Sequence, residues 1–180
     1  MFSIPIVRDV ILWCGGIDAS RKCCDAALSD GKSLTIMVGG EREQILARRG
    51  HHVAYALKRK GFIRLACIHG VDIIPCYCFG EADLYSTSRL LHGWRMWLVK
   101  KFGIAMPLAW GPSWVLPLKP SQLPLNIVMG DPIVVNKSAG QEPTAAEVEK
   151  VHATYIDALR NLFEKHKSEH GCAHKTLEII

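Results

Sequence analysis

The sequence predicts an α/β protein in which a mixed or parallel sheet is flanked by helices. Segments with the period of an amphipathic helix alternate with short apolar runs, in the order helix, strand, helix, strand. The 180 residues are 49% hydrophobic and 22% charged, which is typical of a globular protein with one core. No repeat or linker divides the chain, so we expect one folded unit.

The first predicted helix and strand lie between residues 18 and 40. Asp18 and Ser20 are typical of a helix start, and good helix formers follow as far as Gly31. Residues 33–38 are uncharged and partly β-branched, so we expect a buried strand that ends at Gly39 and Gly40.

A second helix and strand follow at residues 61–69 and 71–79. Phe62, Leu65 and Ala66 recur at helical spacing, and the run after them is apolar and short. Beyond Asp83 a further helix is predicted, because six apolar side chains share one face: Leu90, Leu91, Trp94, Trp97, Leu98 and Phe102.

The C-terminal third is expected to contain two short strands and a long helix. The strands are predicted at residues 126–129 and 133–135. Thr144 and Glu147 have the spacing of a capping box. The helix carries one apolar stripe, formed by Val148, Val151, Tyr155, Leu159, Leu162 and Phe163. No core signal follows Lys167, so we assign residues 1–167 to the domain and 168–180 to a tail.

Charge and cysteine content limit the classes of partner and compartment. The net charge of +5 favours anionic partners such as phosphates or acidic headgroups, but it is too small to indicate nucleic acid. The seven cysteines are irregularly spaced, which favours reduced thiols over a disulfide framework. Residues 1–14 lack the pattern of a signal peptide, and no uninterrupted run reaches the roughly 20 residues of a spanning helix.

The strongest local feature is the pair Gly39 and Gly40, placed after the predicted strand with Glu43 three residues on. Exposed amides at such a turn can hold an oxyanion or phosphate, and the carboxylate can orient a histidine or bind a hydroxyl. The alternative is a tight turn with solvated glutamates, and spacing alone leaves both open.

A basic cluster follows between residues 42 and 64. It can bind phosphates or form an ordinary solvated surface, and both readings stay open. On the glycine turn and this cluster alone, an unrelated nucleotide-binding protein is a rival interpretation. The cluster has seven members, opposed by Glu43: Arg42, Arg48, Arg49, Lys58, Arg59, Lys60 and Arg64.

Histidines and tryptophans offer further candidates. His69 is either an acid or base or a packed helix end. His166, His170 and His174 follow four-residue steps, but a solvated tail explains them better than a metal site, and we predict no metal. Tryptophans close to basic residues suit a membrane surface as well as ordinary packing: Trp94, Trp97, Trp110 and Trp114, with Arg95, Lys100 and Lys101.

In order along the chain, several runs resemble the type-2 diacylglycerol acyltransferases and their monoacylglycerol and wax-ester relatives. The resemblance covers nearly the whole chain. The matching positions are residues 5–9, residues 18–21, Gly39, Gly40 and Glu43, residues 59–62, Pro75 with residues 79–81, residues 128–133, and the closing helix around His152, Tyr155, Leu159, Phe163, Lys165, His166 and Lys167.

The resemblance implies a glycerolipid-acyltransferase-like core and an acyl-CoA:diacylglycerol O-acyltransferase of the endoplasmic reticulum membrane and lipid droplets. In this chemistry a histidine general base activates the acceptor hydroxyl, which attacks the thioester. The family histidine lies in a His-Pro-His-Gly motif, which this sequence does not contain. We therefore expect a domain that is incomplete at its N-terminus, or a truncated paralogue that binds acyl-CoA or membrane lipid without catalysis. Ile68 also departs from the Arg that the family commonly has there.

Site residues follow from the same resemblance. Glu43 is expected to be the catalytic carboxylate that supports the base. Acyl-CoA is the expected co-substrate, an acylglycerol or other alcohol the acceptor, the membrane surface a further partner, and no cofactor is expected. The positions predicted to line the substrate site are Gly39, Gly40, Arg59, Gly61, Phe62, His69, Gly80 and Glu81.

Overall fold

A computed structural model describes residues 5–40, 43, 48–87, 93, 94, 97, 101, 109–113, 120–136 and 142–180. The helices are α1 (Pro5–Trp13), α2 (Arg21–Ser29), α3 (Gly61–His69) and α4 (Ala145–His166). The strands are β1 (His52–Ala54), β2 (Cys76–Phe79), β3 (Ser86–Thr87), β4 (Ala109–Trp110), β5 (Asn126–Met129) and β6 (Leu177–Ile179), and a single 3₁₀ turn spans Glu81–Asp83.

The class is mixed α/β, as the sequence predicted, but the described strands form three separate pairs instead of one sheet. β1 and β6 are parallel, with His52 opposite Leu177. β2 and β5 are antiparallel, with Cys76 opposite Met129, and β3 pairs antiparallel with β4. The described strands therefore pair in both parallel and antiparallel fashion, but they do not form the continuous sheet that the sequence predicted.

The helices predicted after Ser20, at residues 61–69 and after Thr144 are confirmed, although the first ends at Ser29 and not at Gly31. At the start of α4 the Glu147 amide donates to Thr144 Oγ1 at 3.2 Å, and the Glu147 carboxylate accepts from the Thr144 amide at 2.7 Å. Both bonds satisfy amides that have no partner within the helix. Gly70 ends α3 in the left-handed conformation, with φ of 62°.

The core lies between α3 and α4 and extends to β1 and β2. The predicted stripe of α4 is buried, apart from the partly buried Val151. Ile63 and Phe163 are fully buried, and Phe163 joins Phe79 and Cys172 in a second small cluster. The two clusters meet at Tyr77, which packs against both.

The strand predicted at residues 33–38 is wrong. These residues have no strand partner among those described, and the Met37 side chain is 83% exposed. Backbone groups of a strand need a paired neighbour, and none lies beside this segment in the part of the chain that the structure covers.

Two other strand predictions are too long. Only Cys76–Phe79 of residues 71–79 is a strand, and residues 133–135 contribute a single bridge from Ile133 to Ile73. Most of the helix predicted beyond Asp83 lies outside the described residues, including Leu90, Leu91, Leu98 and Phe102. Gly93, Trp94, Trp97 and Lys101 are helical, and Ser86–Thr87 is a strand.

The segment after α4 packs onto the domain, although its sequence carries no core signal. Its strand β6 pairs with β1, and Cys172 is buried against Phe79 and Phe163. Because α4 ends at His166, the three histidines at four-residue steps do not share a helix face. His166 and His170 are partly buried, whereas His174 is exposed.

All seven cysteines are free thiols. Burial raises the pKa of Cys24, Cys67, Cys76, Cys78 and Cys172. Within the described ranges, no helix combines the length and apolar character that crossing a membrane requires.

Candidate functional site

The side chain of Glu43 reaches the loop that follows β1. Its Oε2 accepts a hydrogen bond of 2.8 Å from the amide of Tyr55. Gly39 is buried beneath the same carboxylate, and a Cβ at Gly39 would overlap the Glu43 side chain. The first glycine of the predicted turn is therefore needed for a close approach between backbone and carboxylate.

Burial raises the pKa of the Glu43 carboxyl above its usual value of 4.5. The nearby carboxylate of Glu81 raises this pKa further, whereas the amide of Tyr55 lowers it by stabilising the charged form. Two residues predicted for the site from distant parts of the sequence therefore share one electrostatic environment.

Replacing Gly39 by Ala is expected to lower the free energy of unfolding by about 1–2 kcal/mol, because the new Cβ meets the Glu43 side chain. Urea unfolding measures the change. The double variant Gly39→Ala/Glu43→Ala lacks the long side chain that the new Cβ would meet, so it should recover most of the lost free energy of unfolding. Gly61→Ala is the control, since a Cβ there meets no atom within 4 Å. A double variant that shows no recovery contradicts the placement of Glu43 over Gly39.

Arg59 joins the same neighbourhood through Tyr55. Its guanidinium carbon lies 5.4 Å from the centroid of the Tyr55 ring, a cation–π arrangement. The backbone of Tyr55 thus binds Glu43 while its ring supports Arg59. No sequence pattern identifies Tyr55 as the link between them.

Gly61 and Phe62 begin α3 just after Arg59. Gly61 is exposed, and Phe62 contacts Tyr155 of α4 edge to face, with 4.9 Å between ring centroids. Burial raises the pKa of Tyr155 to about 12. Phe62 therefore packs against the core, next to Tyr155, whose pKa the charge of Glu43 also raises.

Gly80 and Glu81 turn the chain immediately after β2. Gly80 has φ of 92°, and a Cβ there would overlap the carbonyl oxygen of Pro124. This close approach brings the loop before β5 against the turn. Burial raises the pKa of Tyr77 far above 10, and the charges of Glu81 and Glu43 add to the effect. Tyr77 is a second residue of this neighbourhood that the sequence did not indicate.

His69 lies apart from this group. It ends α3, about 12 Å along the helix from Gly61 at 1.5 Å per residue. Its Nε2 is 2.9 Å from Asp25 Oδ1 on α2, and Asp25 also pairs with Arg21 at 3.6 Å. Among the described contacts none joins His69 to Glu43. Its observed role is to tie α2 to α3.

The basic cluster is divided between ion pairs and exposed positions. Lys60 pairs with Glu149, and Arg64 lies 3.9 Å from Glu142. Arg49 donates to Ser86 Oγ at 3.5 Å. Arg48, Lys58 and Arg59 are exposed, and Arg42 lies outside the described residues. The exposed members near Tyr55 are those with charge available for a phosphate group.

Three tryptophans are about half exposed: Trp94 at 51%, and Trp97 and Trp110 at 47% each. Lys101 Nζ lies 5.0 Å from the Trp97 ring centroid. Trp114, Arg95 and Lys100 lie outside the described residues. In the part that the structure covers, no three metal-binding side chains form a cluster.

The arrangement provides a carboxylate with a raised pKa that is held by the Tyr55 amide, and an exposed guanidinium that lies over the Tyr55 ring. Such a carboxylate can accept a hydrogen bond from an imidazole or a hydroxyl group, and the guanidinium can bind phosphate oxygens. Of the nine predicted site residues, Gly39 and Glu81 act directly on Glu43. Among the described contacts, none brings Gly40, Gly61 or His69 to Glu43.

Comparison with known proteins identifies the family of this chain. The family model "Diacylglycerol acyltransferase" matches residues 1–180. The chain is 35% identical to diacylglycerol O-acyltransferase 1 of Eremothecium gossypii, over 99% of this chain and 41% of that protein. It is 37% identical to human 2-acylglycerol O-acyltransferase 3, over 95% of this chain and 53% of the relative.

Human diacylglycerol O-acyltransferase 2 is 32% identical, over 94% of this chain and 46% of its own length. The chain therefore spans about half the length of the curated relatives it matches. No solved structure matches it significantly. Because the family model covers every residue, the rival interpretation as an unrelated nucleotide-binding protein is wrong. The chain belongs to the diacylglycerol acyltransferase family.

Proposed function

We propose that this chain carries part of the active site of an acyl-CoA:diacylglycerol O-acyltransferase, which transfers a fatty acyl group to an acylglycerol hydroxyl in triacylglycerol synthesis. The names of its relatives support both the reaction and the acceptor class. The structural observation that carries the proposal is the Glu43 carboxylate, which lies over the buried Gly39 and is held by the Tyr55 amide.

In the proposed reaction a histidine base removes the proton of the acceptor hydroxyl. The oxygen attacks the thioester carbonyl, and the coenzyme A thiolate leaves. Glu43 would accept a hydrogen bond from the N–H of that base, orient the imidazole ring and stabilise its charged form. Since no His-Pro-His-Gly motif occurs in this sequence, the proposal assigns the base to no residue of this chain.

Arg59 would bind phosphate oxygens of acyl-CoA. Its guanidinium is exposed and close to the Glu43 neighbourhood through Tyr55. Gly39, Gly40, Gly61, Phe62, Gly80 and Glu81 would line the acyl and acceptor positions. We also propose the glycerolipid-acyltransferase-like core, and the membrane of the endoplasmic reticulum and lipid droplets as the place of action; the half-exposed tryptophans support a membrane partner.

A second candidate function is binding of acyl-CoA or membrane lipid without catalysis. The absence of a His-Pro-His-Gly motif from these 180 residues favours it. Both candidates use the same surface, so only turnover separates them.

The test places these 180 residues in human diacylglycerol O-acyltransferase 2, in exchange for the segment that they match, so that the rest of an enzyme is present. The chimera is supplied with long-chain acyl-CoA and diacylglycerol in vesicles, binding is measured by calorimetry, and triacylglycerol is measured by mass spectrometry. Formation of triacylglycerol supports the enzyme, binding without product supports the second candidate, and absence of both contradicts the two.

Arg59→Gln is expected to weaken acyl-CoA binding about tenfold, because it removes a charged partner of the phosphates. Arg160→Gln is the matched control, since Arg160 is exposed on α4 and pairs only with Asp157 among the described contacts. Equal loss of affinity in the two variants would contradict a specific phosphate contact at Arg59.

A further inference from the structure

His52 is a buried titratable residue that the proposed reaction does not use. It lies in β1 with only 3% of its surface exposed. Its Nδ1 is 2.8 Å from the hydroxyl oxygen of Tyr77, and its Nε2 is buried without a hydrogen-bond partner among the described residues. The Phe163 ring lies 5.2 Å from the imidazole, centroid to centroid.

This environment suits a neutral imidazole. A neutral ring has one N–H and one lone pair, and the Tyr77 hydroxyl can partner either of them at Nδ1. A protonated ring has two N–H groups, of which only the one at Nδ1 finds an acceptor. The other would remain buried and unpaired on a charged group, which is strongly unfavourable.

The charged groups around His52 are few and of both signs. Burial has the largest effect and lowers the pKa of His52 below its usual 6.5. Asp83, in the 3₁₀ turn, favours the protonated form, whereas Lys175 and His51 disfavour it. The neighbour from α4 is the apolar ring of Phe163. No surrounding element therefore supplies enough compensation for the charged form.

The strand that pairs with β1 beside His52 belongs to the segment after α4. Leu177 of β6 lies opposite His52, and only three residue pairs join the two strands. Ile180 extends the pairing: its carbonyl accepts from the Ala56 amide at 2.9 Å and the Leu57 amide at 3.1 Å, and its amide donates to the Ala54 carbonyl at 3.0 Å. A strand of three residues opens at much lower cost than the 22-residue helix α4.

We propose that His52 is a protonation-sensitive latch that holds residues 168–180 on the domain while neutral and releases them when protonated. Release would uncover Tyr77 and Phe79, which lead into Gly80 and Glu81. The proposed latch does not require acyl transfer, because it depends on the surroundings of His52: Tyr77 of β2, Phe163 of α4 and the paired strand β6.

The sign of the pH dependence follows from the open state. There His52 is exposed to water and titrates near 6.5, so the open state binds more protons below that pH. The closed state is therefore fully favoured above about pH 6.5 and loses stability as the pH falls toward the lower pKa of the closed form.

Hydrogen exchange with mass spectrometry, corrected for intrinsic rates, tests the latch in the full chain. Between pH 6.5 and 5.5 the protection of residues 168–180 should fall by up to about fivefold, the limit for one group that titrates near 6.5 in the open state. The protection of α4 should stay unchanged. A flat profile for residues 168–180, or an equal loss in α4, would overturn the proposal.

Two variants test whether His52, and not a neighbouring histidine, causes the pH-dependent loss of protection. His52→Phe keeps an aromatic ring beside Phe163 and should make protection independent of pH, whereas the exposed His51→Gln should keep the wild-type fall. His166 pairs with Glu169 at 3.1 Å and His170 stacks on Phe79, so persistence of the fall in His52→Phe would assign it to them and reject the latch. If His52→Phe does not fold, proton NMR of the wild type decides: a His52 ring that titrates at 6.5 or above refutes the proposal.

Discussion

Replacing Glu43 by Gln is expected to lower the rate of the proposed acyl transfer by about 100-fold or more, while making the fold more stable. The rate falls because an amide cannot stabilise the positive charge that develops on a histidine base, and proton transfer by a positioned base contributes about 10²–10⁴-fold. Triacylglycerol formation per unit of the chimera with human diacylglycerol O-acyltransferase 2 measures this effect. The contribution of Glu43 should appear in kcat more than in KM.

The gain in stability has a separate cause. Burial raises the pKa of the Glu43 carboxyl, so the ionised side chain opposes folding at neutral pH. Stability is therefore greatest below the unfolded value of 4.5 and is lost as the pH rises through the folded pKa. Glu43→Gln should unfold at higher urea concentration than wild type at pH 7, and the difference should vanish below about pH 4.5.

Glu178→Gln is the matched control, because it makes the same chemical change at an exposed position on β6. It should alter neither rate nor stability appreciably. A Glu43→Gln variant with full activity would contradict the role assigned to this carboxylate. Loss of both activity and stability would instead indicate that Glu43 mainly supports the fold.

Gly80→Ala is expected to lower the free energy of unfolding by about 3 kcal/mol. Two causes add: φ of 92° is strained for any residue with a Cβ, and the Cβ would overlap the backbone oxygen of Pro124, which cannot rotate away. Urea unfolding followed by circular dichroism measures the change. Activity should fall as well, since the turn places Glu81 near Glu43.

Gly171→Ala isolates the contribution of backbone strain. Gly171 has φ of 72°, and a Cβ there would meet no atom within 4 Å, so we expect a loss of only about 1 kcal/mol. The difference between the two variants measures the collision with Pro124. Equal losses would show that the loop before β5 does not press on Gly80.

The site could be predicted from the sequence only in part. Glu43 and its glycines formed a short motif, Arg59 belonged to the basic cluster, and the family resemblance assigned these residues and Glu81 to one site. Tyr55 was missed because its contribution is a backbone amide and a ring face, which no motif records. The family resemblance placed His69 in the site, but the carboxylate that it contacts comes from α2, 44 residues earlier.

The sequence by itself determined the elements whose signals are local. Helices α2, α3 and α4 follow from capping residues and apolar spacing within one or two turns, and these interactions form in the segment itself. The family likewise follows from ordered short motifs. Tertiary structure alone decided the rest: residues 33–38 lack a strand partner, whereas residues 177–179 obtain one from β1, more than 120 positions away. A strand is stabilised by bonds to another segment, so its own residues cannot specify whether that segment will be there.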